Sequence, residues 1–110
     1  MKKSYMAVRK VREFIAEQPD ETQAEYVKIV ERLEQDGHLV EPFGKKLERD
    51  LFEMRMRRGR QVRVLYVYHA GDLAIGVHAF VKKTQQTPQR ELKQARRVAT
   101  RIMRGEYEEE

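Results

Sequence analysis

Apolar residues recur every three or four positions over the first third of the chain, which is the spacing of amphipathic helices. We predict one helix over residues 8–17 and its end before Pro19, because proline disfavours a helical conformation in the residue that precedes it. A second helix is predicted from Asp20, a favoured N-cap residue type, to Gly37, a favoured residue type at a helix C-terminus. The first third of the chain is therefore predicted to be a helical hairpin.

The period of the pattern changes to two after a turn at residues 42–44, and a period of two is typical of strands. Residues 51–57, 62–69 and 73–81 are predicted as three strands. The connections between them are so short that neighbouring strands should be antiparallel. The pattern leaves open whether a further strand lies at residues 3–7.

A basic amphipathic helix is predicted after the last strand, with Thr87 as its N-cap, Pro88 as its first residue and Gly105 at its end. This order of elements predicts an α+β fold: a helical hairpin, then a three- or four-stranded antiparallel sheet, then a C-terminal helix. The helices are expected to pack on one face of the sheet. Residues 1–110 are expected to form a single domain, in which residues 105–110 are a frayed acidic tail.

The positive charge of the chain is concentrated in its second half. Residues 1–43 contain 7 lysines and arginines and 9 acidic residues, whereas residues 44–104 contain 16 and 5. A net charge of +11 in one segment is typical of a protein that binds a polyanion such as nucleic acid. The alternative is a solvated surface without a partner, and we favour the polyanion.

Several functional classes are disfavoured by composition. The chain has no cysteine, so disulfides and thiolate chemistry are excluded. Its histidines, His38, His69 and His78, are scattered along the sequence, and no metal or cofactor site is predicted. No apolar run reaches the roughly 18 residues of a membrane span, and no signal peptide is visible. We therefore expect a cytoplasmic protein without a cofactor, a metal or a membrane contact.

The face of the sheet that the helices leave free is the expected place for chemistry. If the pleats of the strands align, Arg55, Arg63 and either Lys82 or Lys83 converge on this open face and form a cationic pocket. Arg63 and Lys83 should both be accessible there. The alternative for Arg55 is a simple ion pair with Glu53 or Asp50, and Lys82 and Lys83 could be only a solvated strand end.

Such a pocket suits an RNA phosphodiester, because the ribose 2′-OH supplies the nucleophile and the protein need not. Arginine grips phosphate oxygens with two parallel hydrogen bonds and neutralises the charge that develops on phosphorus. A lysine among other cations could donate or accept a proton near neutrality. Tyr66 is a candidate for base stacking or proton donation. Tyr66 and His78 both lie in apolar strands, however, and core positions are the alternative for each.

The candidate site has two groups of residues. We predict that the catalytic residues are Arg55, Arg63, Tyr66, Lys82 and Lys83. Further contacts with RNA are predicted for Arg57, Arg58, Arg60, His78, Arg90, Lys93 and Arg97.

The sequence HAFVKKTQQTP at 78–88, followed by a basic helix, closely resembles the signature of the phage-related HigB-like toxins of the RelE/ParE superfamily. The sequence KKLERDLFEMRMRRGRQVRVLYVY at 45–68 resembles the preceding segment of that family. The resemblance extends over about residues 8–104. It departs from the family in a short N-terminus, so that the usual first strand is expected to be abbreviated or missing, and in Met54, where leucine is common.

The resemblance implies a RelE-like microbial RNase fold and metal-independent cleavage of mRNA, often on the ribosome. Arg55, Arg63, Lys82 and Lys83 match the positions that would carry this function. The implied partner is a HigA-like helix-turn-helix antitoxin, through which the toxin would reach operator DNA indirectly. Two alternatives remain: a toxin that poisons DNA gyrase on the same fold, and a catalytically inactive RNA-binding module of phage origin.

Overall fold

The structure, a computed structural model, describes residues 2–108 and contains three helices and five strands in that range. In chain order these elements are β1 (Ser4–Ala7), α1 (Arg9–Ala16), α2 (Asp20–Asp36), β2 (Gly44–Glu48), β3 (Leu51–Met56), β4 (Val62–His69), β5 (Leu73–Val81) and α3 (Gln89–Met103). The helical hairpin, the three predicted strands and the C-terminal helix are confirmed. The α+β fold class is therefore confirmed as well.

The strands form one sheet in the order β1-β5-β4-β3-β2. The run from β3 to β5 is antiparallel, as predicted, and β2 joins β3 in antiparallel as well, whereas β1 pairs with β5 in parallel. The sheet has five strands rather than three or four, because the short segments β1 and β2 occupy its two edges. The first strand, which we expected to be abbreviated or missing, is present with 4 residues.

The helices cover both faces of the sheet, and the expectation that they share one face was wrong. On β4, Tyr68 and Leu65 are three residues apart and therefore point to opposite faces. Tyr68 is aligned through β5 with Tyr5, whose hydroxyl accepts a 2.8 Å hydrogen bond from a tyrosine of α2. Leu65 is paired with His78, which lies 2.7 Å from a glutamate of α3. The hairpin α1–α2 thus covers one face and α3 covers the other.

The helix ends differ from the prediction at two N-termini and agree at two C-termini. Asp20 is the first residue of α2 rather than its cap, and α3 begins at Gln89 after Pro88. Thr87 makes no capping hydrogen bond, and its hydroxyl instead lies 3.5 Å from the Glu53 carboxylate. Gly37 ends α2 with a φ of 81°, and Gly105 follows α3 with a φ of 70°. Both glycines adopt the left-handed conformation that favours this residue.

The start of the predicted acidic tail folds back on the last helix. The Glu106 amide donates a 2.8 Å hydrogen bond to the Arg101 carbonyl, and the Arg101 guanidinium lies 5.5 Å from the centre of the Tyr107 ring. Residues 109–110 of the predicted tail lie outside the described residues. Among residues 2–108, none of the helices has the length and apolar character needed to span a bilayer.

The turn between β3 and β4 requires a glycine, and this requirement gives a stability prediction. Gly59 has a φ of 77°, and a Cβ atom there would lie 2.7 Å from the Thr22 hydroxyl, which donates a hydrogen bond to the Arg58 carbonyl. We expect Gly59→Ala to lower the free energy of unfolding by about 1–3 kcal/mol. Gly71→Ala is the matched control, because its φ is 75° but no atom lies within 4 Å. Urea unfolding should show a smaller loss for Gly71→Ala, and equal losses would contradict this account of Gly59.

Candidate functional site

A buried carboxylate lies at the centre of the cationic residues on the α3 side of the sheet. Glu53 is 0% exposed, and three cations surround its two oxygens. Its Oε2 lies 3.2 Å from Arg55 Nε, while its Oε1 lies 3.4 Å from Arg63 Nε and 3.7 Å from Lys82 Nζ. The Thr87 hydroxyl is 3.5 Å from the same Oε1 and completes the surroundings of the carboxylate.

The strand register brings these residues together. Arg55 on β3 is paired with Arg63 on β4, so their side chains share a face. Glu53, two residues before Arg55, points to that face as well. The Lys82 amide donates a 2.7 Å hydrogen bond to the Gln61 carbonyl, which holds the end of β5 beside the start of β4. The predicted convergence of Arg55, Arg63 and Lys82 is therefore present in the structure.

Arg63 is buried, and the prediction that it lies on an accessible face was wrong. The residue is 7% exposed, and its Nη1 donates 3.1 Å hydrogen bonds to the carbonyls of Met56 and Val62. Its paired neighbour on β5, Phe80, is itself buried and covers it on one side, while Glu53 draws the guanidinium inward. Burial lowers the pKa of Arg63, and the negative charge of Glu53 opposes that shift. Arginine stays charged nonetheless, because its ordinary pKa is so high.

An open cleft of about 540 Å³ lies over this cluster. The cleft is lined by Arg55, Gln61, Arg63, Lys82, Lys83, Thr84 and Gln85. Lys83 is exposed and makes no ion pair with any residue between 2 and 108, so its ammonium group is available to a ligand. At the edge, Glu41 lies 3.4 Å from Arg55 Nη1 but is 69% exposed, so solvent weakens this contact. The cleft is thus a strongly positive surface backed by one buried carboxylate.

Tyr66 is not part of the cleft, although the sequence suggested a catalytic role for it. It lies on the opposite face of the sheet, is 1% exposed and stacks on Phe52 with a ring distance of 5.6 Å. Burial raises the pKa of its hydroxyl well above the ordinary value. A side chain enclosed in this way cannot stack on an RNA base or donate a proton to one. The alternating pattern of β4 already put Tyr66 on the same side as Val62 and Val64, and the core position follows from it.

The three arginines of the β3–β4 turn point in different directions. Arg57 is exposed and lies two residues after Arg55, and its positive charge contributes to lowering the pKa of Arg63. Arg58 lines a groove along α2. Arg60 donates a 3.1 Å hydrogen bond to Gln18, next to the end of α1. None of these three arginines lines the cleft.

The predicted residues of β5 and α3 lie beside the cleft rather than in it. His78 does not line it; its Nε2 is 2.7 Å from Glu91 and its ring stacks on Phe80. The helix α3 begins beside the cleft, because Thr87 contacts Glu53 two residues before the helix starts. Three exposed cations of this helix are predicted RNA contacts: Arg90, Lys93 and Arg97.

A groove along α2 is a weaker candidate because its charges are mixed. It is lined by Glu21, Ala24, Glu25, Lys28, Ile29, Arg32, Phe43 and Arg58. The carboxylates Glu21 and Glu25 offset two of its three cations, and Glu25 already accepts hydrogen bonds from the amides of Arg57 and Arg58. Within residues 2–108, no group of three or more histidine, aspartate or glutamate side chains is arranged to hold a metal ion. The cationic cleft therefore remains the candidate site.

Comparisons with known proteins place the chain in a family and match its fold. A family model described as "Phage derived protein Gp49-like (DUF891)" matches residues 13–100, and no curated protein matches the sequence. Among solved structures, the chain is similar to a double arginine-to-alanine mutant of the E. coli toxin RelE in the free state. The TM-score is 0.64 at 9% sequence identity, over 93% of this chain and 99% of that chain. At this identity the likeness shows the fold, and the predicted RelE-like architecture is confirmed.

Proposed function

Since the chain belongs to the Gp49-like family of phage-derived proteins, we propose that it is the toxin of a type II toxin–antitoxin system and an endoribonuclease that cleaves mRNA. The observation that carries this proposal is the convergence of Arg55, Arg63, Lys82 and Lys83 on one open cleft. The RelE-like fold adds support, because a solved relative in fold is described as a toxin. We propose that residues 1–110 act as one toxin domain in the cytoplasm.

The cleft residues suit cleavage in which RNA supplies its own nucleophile. The ribose 2′-oxygen attacks the adjacent phosphorus, and the bond from phosphorus to the 5′-oxygen breaks. The products are a 2′,3′-cyclic phosphate and a 5′-hydroxyl. Negative charge increases on the phosphoryl oxygens in the transition state, and Arg55, Arg63 and the lysines stabilise it electrostatically. No metal ion takes part in the proposed reaction.

The cleft has few groups that could transfer a proton, and this shortage supports dependence on the ribosome. The cleft-lining residues among those described include no histidine and no carboxylate. Proton transfer would thus depend on Lys82, Lys83 or groups of the ribosome. A ribosome that holds the mRNA in a reactive geometry would also contribute through orientation, which is worth several orders of magnitude in rate. We therefore propose that the substrate is mRNA in the ribosome.

The proposed RNA track extends from the cleft to its basic surroundings. Arg57 lies on one side, and Arg90, Lys93 and Arg97 extend along α3 on the other. His78 lies between the sheet and that helix and stays a secondary candidate. Arg58 and Arg60 point toward the helical hairpin, so we leave them, with Tyr66, outside the track.

The proposed regulator is a HigA-like helix-turn-helix antitoxin. An acidic surface on the antitoxin would complement the basic half of this chain, and such complementarity speeds association and selects partners. Through that partner the toxin would be held indirectly on operator DNA.

Induction in a bacterial host with mapping of new RNA 5′ ends tests the proposal. The wild type is compared with a triple variant, Arg63→Ala, Lys82→Ala and Lys83→Ala. A second triple variant changes the exposed Lys2, Lys10 and Lys28 to alanine and removes the same charge away from the cleft.

We expect growth arrest and discrete mRNA cuts for the wild type and the control, and neither for the cleft variant. Arrest with intact mRNA and induced DNA damage would favour a gyrase poison. No arrest by the wild type would favour an inactive RNA-binding module.

A further inference from the structure

The buried carboxylate of Glu53 has no role in the reaction proposed above, yet it contacts three of the cations that line the cleft. Its Oε2 lies next to Arg55, and its Oε1 lies next to Arg63 and Lys82. Glu53 is 0% exposed and does not line the cleft, so it does not touch a bound RNA. Any contribution it makes to the chemistry therefore passes through the cations.

Without the Glu53 carboxylate between them, the positive charges of Arg55, Arg63 and Lys82 would repel one another and move apart. Arg55 and Lys82 have side chains that are only 14% and 10% exposed, so solvent would do little to screen that repulsion. The long side chains of arginine and lysine also have many rotamers, and an ion pair selects among them. Glu53 thus fixes both the spacing and the direction of the cationic groups before RNA arrives.

We propose that Glu53 is a positioning residue that holds Arg55, Arg63 and Lys82 in the arrangement required by one phosphate group of the RNA. The inference rests on the proposed ribonuclease function and specifies how its site is preorganised. The proposal predicts that a change of Glu53 affects RNA binding and RNA cleavage differently. Loss of the negative charge makes the cleft more positive and favours polyanion binding, whereas loss of the fixed geometry weakens transition-state stabilisation.

Two other roles for Glu53 predict different results. A purely structural carboxylate would affect folding, binding and cleavage together. A proton acceptor in the reaction would have to contact the 2′-OH, and the enclosure of Glu53 by Arg55, Arg63, Lys82 and Thr87 opposes that contact. Separate measurements of RNA binding and of cleavage therefore distinguish a positioning role from a structural role and from a role as proton acceptor.

Glu53→Gln tests the proposal with a nearly isosteric change. We expect it to bind a 2′-O-methyl oligoribonucleotide, which cannot be cleaved, as tightly as the wild type or several-fold more tightly. The single-turnover cleavage rate on mRNA-programmed ribosomes should fall by about 10²-fold. In NMR spectra, the Nε–H signals of Arg55 and Arg63 should be sharp in the wild type and broadened in the variant. Glu48→Gln is the control, since Glu48 pairs with Arg96 at 2.7 Å and lies outside the cleft.

The Glu53→Asp variant keeps the negative charge on a side chain that is one methylene shorter. It replaces Glu53→Gln in the same measurements if Glu53→Gln does not fold. For it we expect unchanged RNA binding and slower cleavage. The proposal is overturned if the variants cleave at the wild-type rate, if binding and cleavage fall in parallel, or if neither variant folds. A wild type that cleaves no RNA would refute the proposed function instead, while the NMR signals and the oligonucleotide affinities would still decide whether Glu53 positions the cations.

Discussion

Lys83→Ala is expected to reduce the rate of mRNA cleavage by about 10²- to 10³-fold, the usual cost of removing one group that stabilises transition-state charge. Lys83 is exposed, lines the cleft and makes no ion pair with the other described residues. Its replacement therefore removes a cation from the reaction and leaves no buried group unpaired. The midpoint of thermal unfolding should stay at the wild-type value. Single-turnover cleavage and calorimetry on the same preparations measure the two effects.

Lys93→Ala is the matched control for this change, because Lys93 is an exposed lysine on α3 outside the cleft lining. Lys93→Ala should weaken RNA binding slightly, and this effect should be smaller than the effect of Lys83→Ala on cleavage. Normal cleavage by Lys83→Ala would contradict the assignment of the reaction to the cleft. A large loss of thermal stability would instead indicate that Lys83 is a structural residue.

Arg63→Ala is expected to abolish cleavage and also to destabilise the fold. Arg63 is buried, and its guanidinium supplies hydrogen bonds to the carbonyls of Met56 and Val62. Its loss leaves these carbonyls without that donor, and we expect the free energy of unfolding to fall by about 1–3 kcal/mol. The loss should not be greater, because Glu53 keeps Arg55 and Lys82 as partners. Urea unfolding measures this change.

Arg63→Lys separates the two roles of that side chain. It keeps the positive charge near Glu53 but cannot reproduce the planar, forked donor geometry of arginine. We expect part of the lost stability to return while cleavage stays low. Full stability of Arg63→Ala would contradict the structural role, and full cleavage activity of Arg63→Lys would contradict the need for a forked donor.

The three central strands and their antiparallel pairing were predictable because each strand has a clear pattern and the connections are short. The period of two placed Arg55 and Glu53 on one side of β3, and the short connections implied antiparallel pairing with β4. The edge strands were not predictable in the same way. The sequence GKKLE of β2 has two adjacent exposed lysines and a register irregularity after Lys46, so a period of two is not visible there. The pairing of β1 joins segments that are far apart in the chain, and local pattern contains no information about it.

The placement of the helices on both faces had a partial signal in the sequence. Residues 73–81 are apolar at nearly every position, which predicts a strand that is either central in the sheet or covered on both sides. The pattern did not decide between the two, and the structure has a helix on the face that was predicted to be free. Because α3 covers part of that face, the accessible region is reduced to the cleft beyond the N-terminus of the helix. Arg63 is consequently buried, and Lys83, past the end of β5, stays exposed.

The ion pair of Glu53 with Arg55 was one of the alternatives that the sequence offered, but the burial of Glu53 and its contacts with Arg63 and Lys82 were not predicted. The alternating pattern put Glu53 and Arg55 on one face, but an acidic residue on a strand is usually solvated. Only the three-dimensional arrangement shows that this carboxylate is fully buried and contacts cations from three strand ends. The contact with Thr87 was also hidden, because the sequence favoured Thr87 as a helix cap.

Cleavage of mRNA by the cationic cleft without a metal ion can be measured with purified protein, ribosomes programmed with a defined mRNA, and a divalent-ion chelator added once the ribosomes have been stabilised by crosslinking. We expect discrete cuts with 2′,3′-cyclic phosphate and 5′-hydroxyl ends for the wild type, and the same cuts at a rate about 10²- to 10³-fold lower for Lys83→Ala. Intact mRNA at saturating, folded wild-type protein would contradict metal-independent cleavage by the cleft, and so would cutting that stops when the chelator is added.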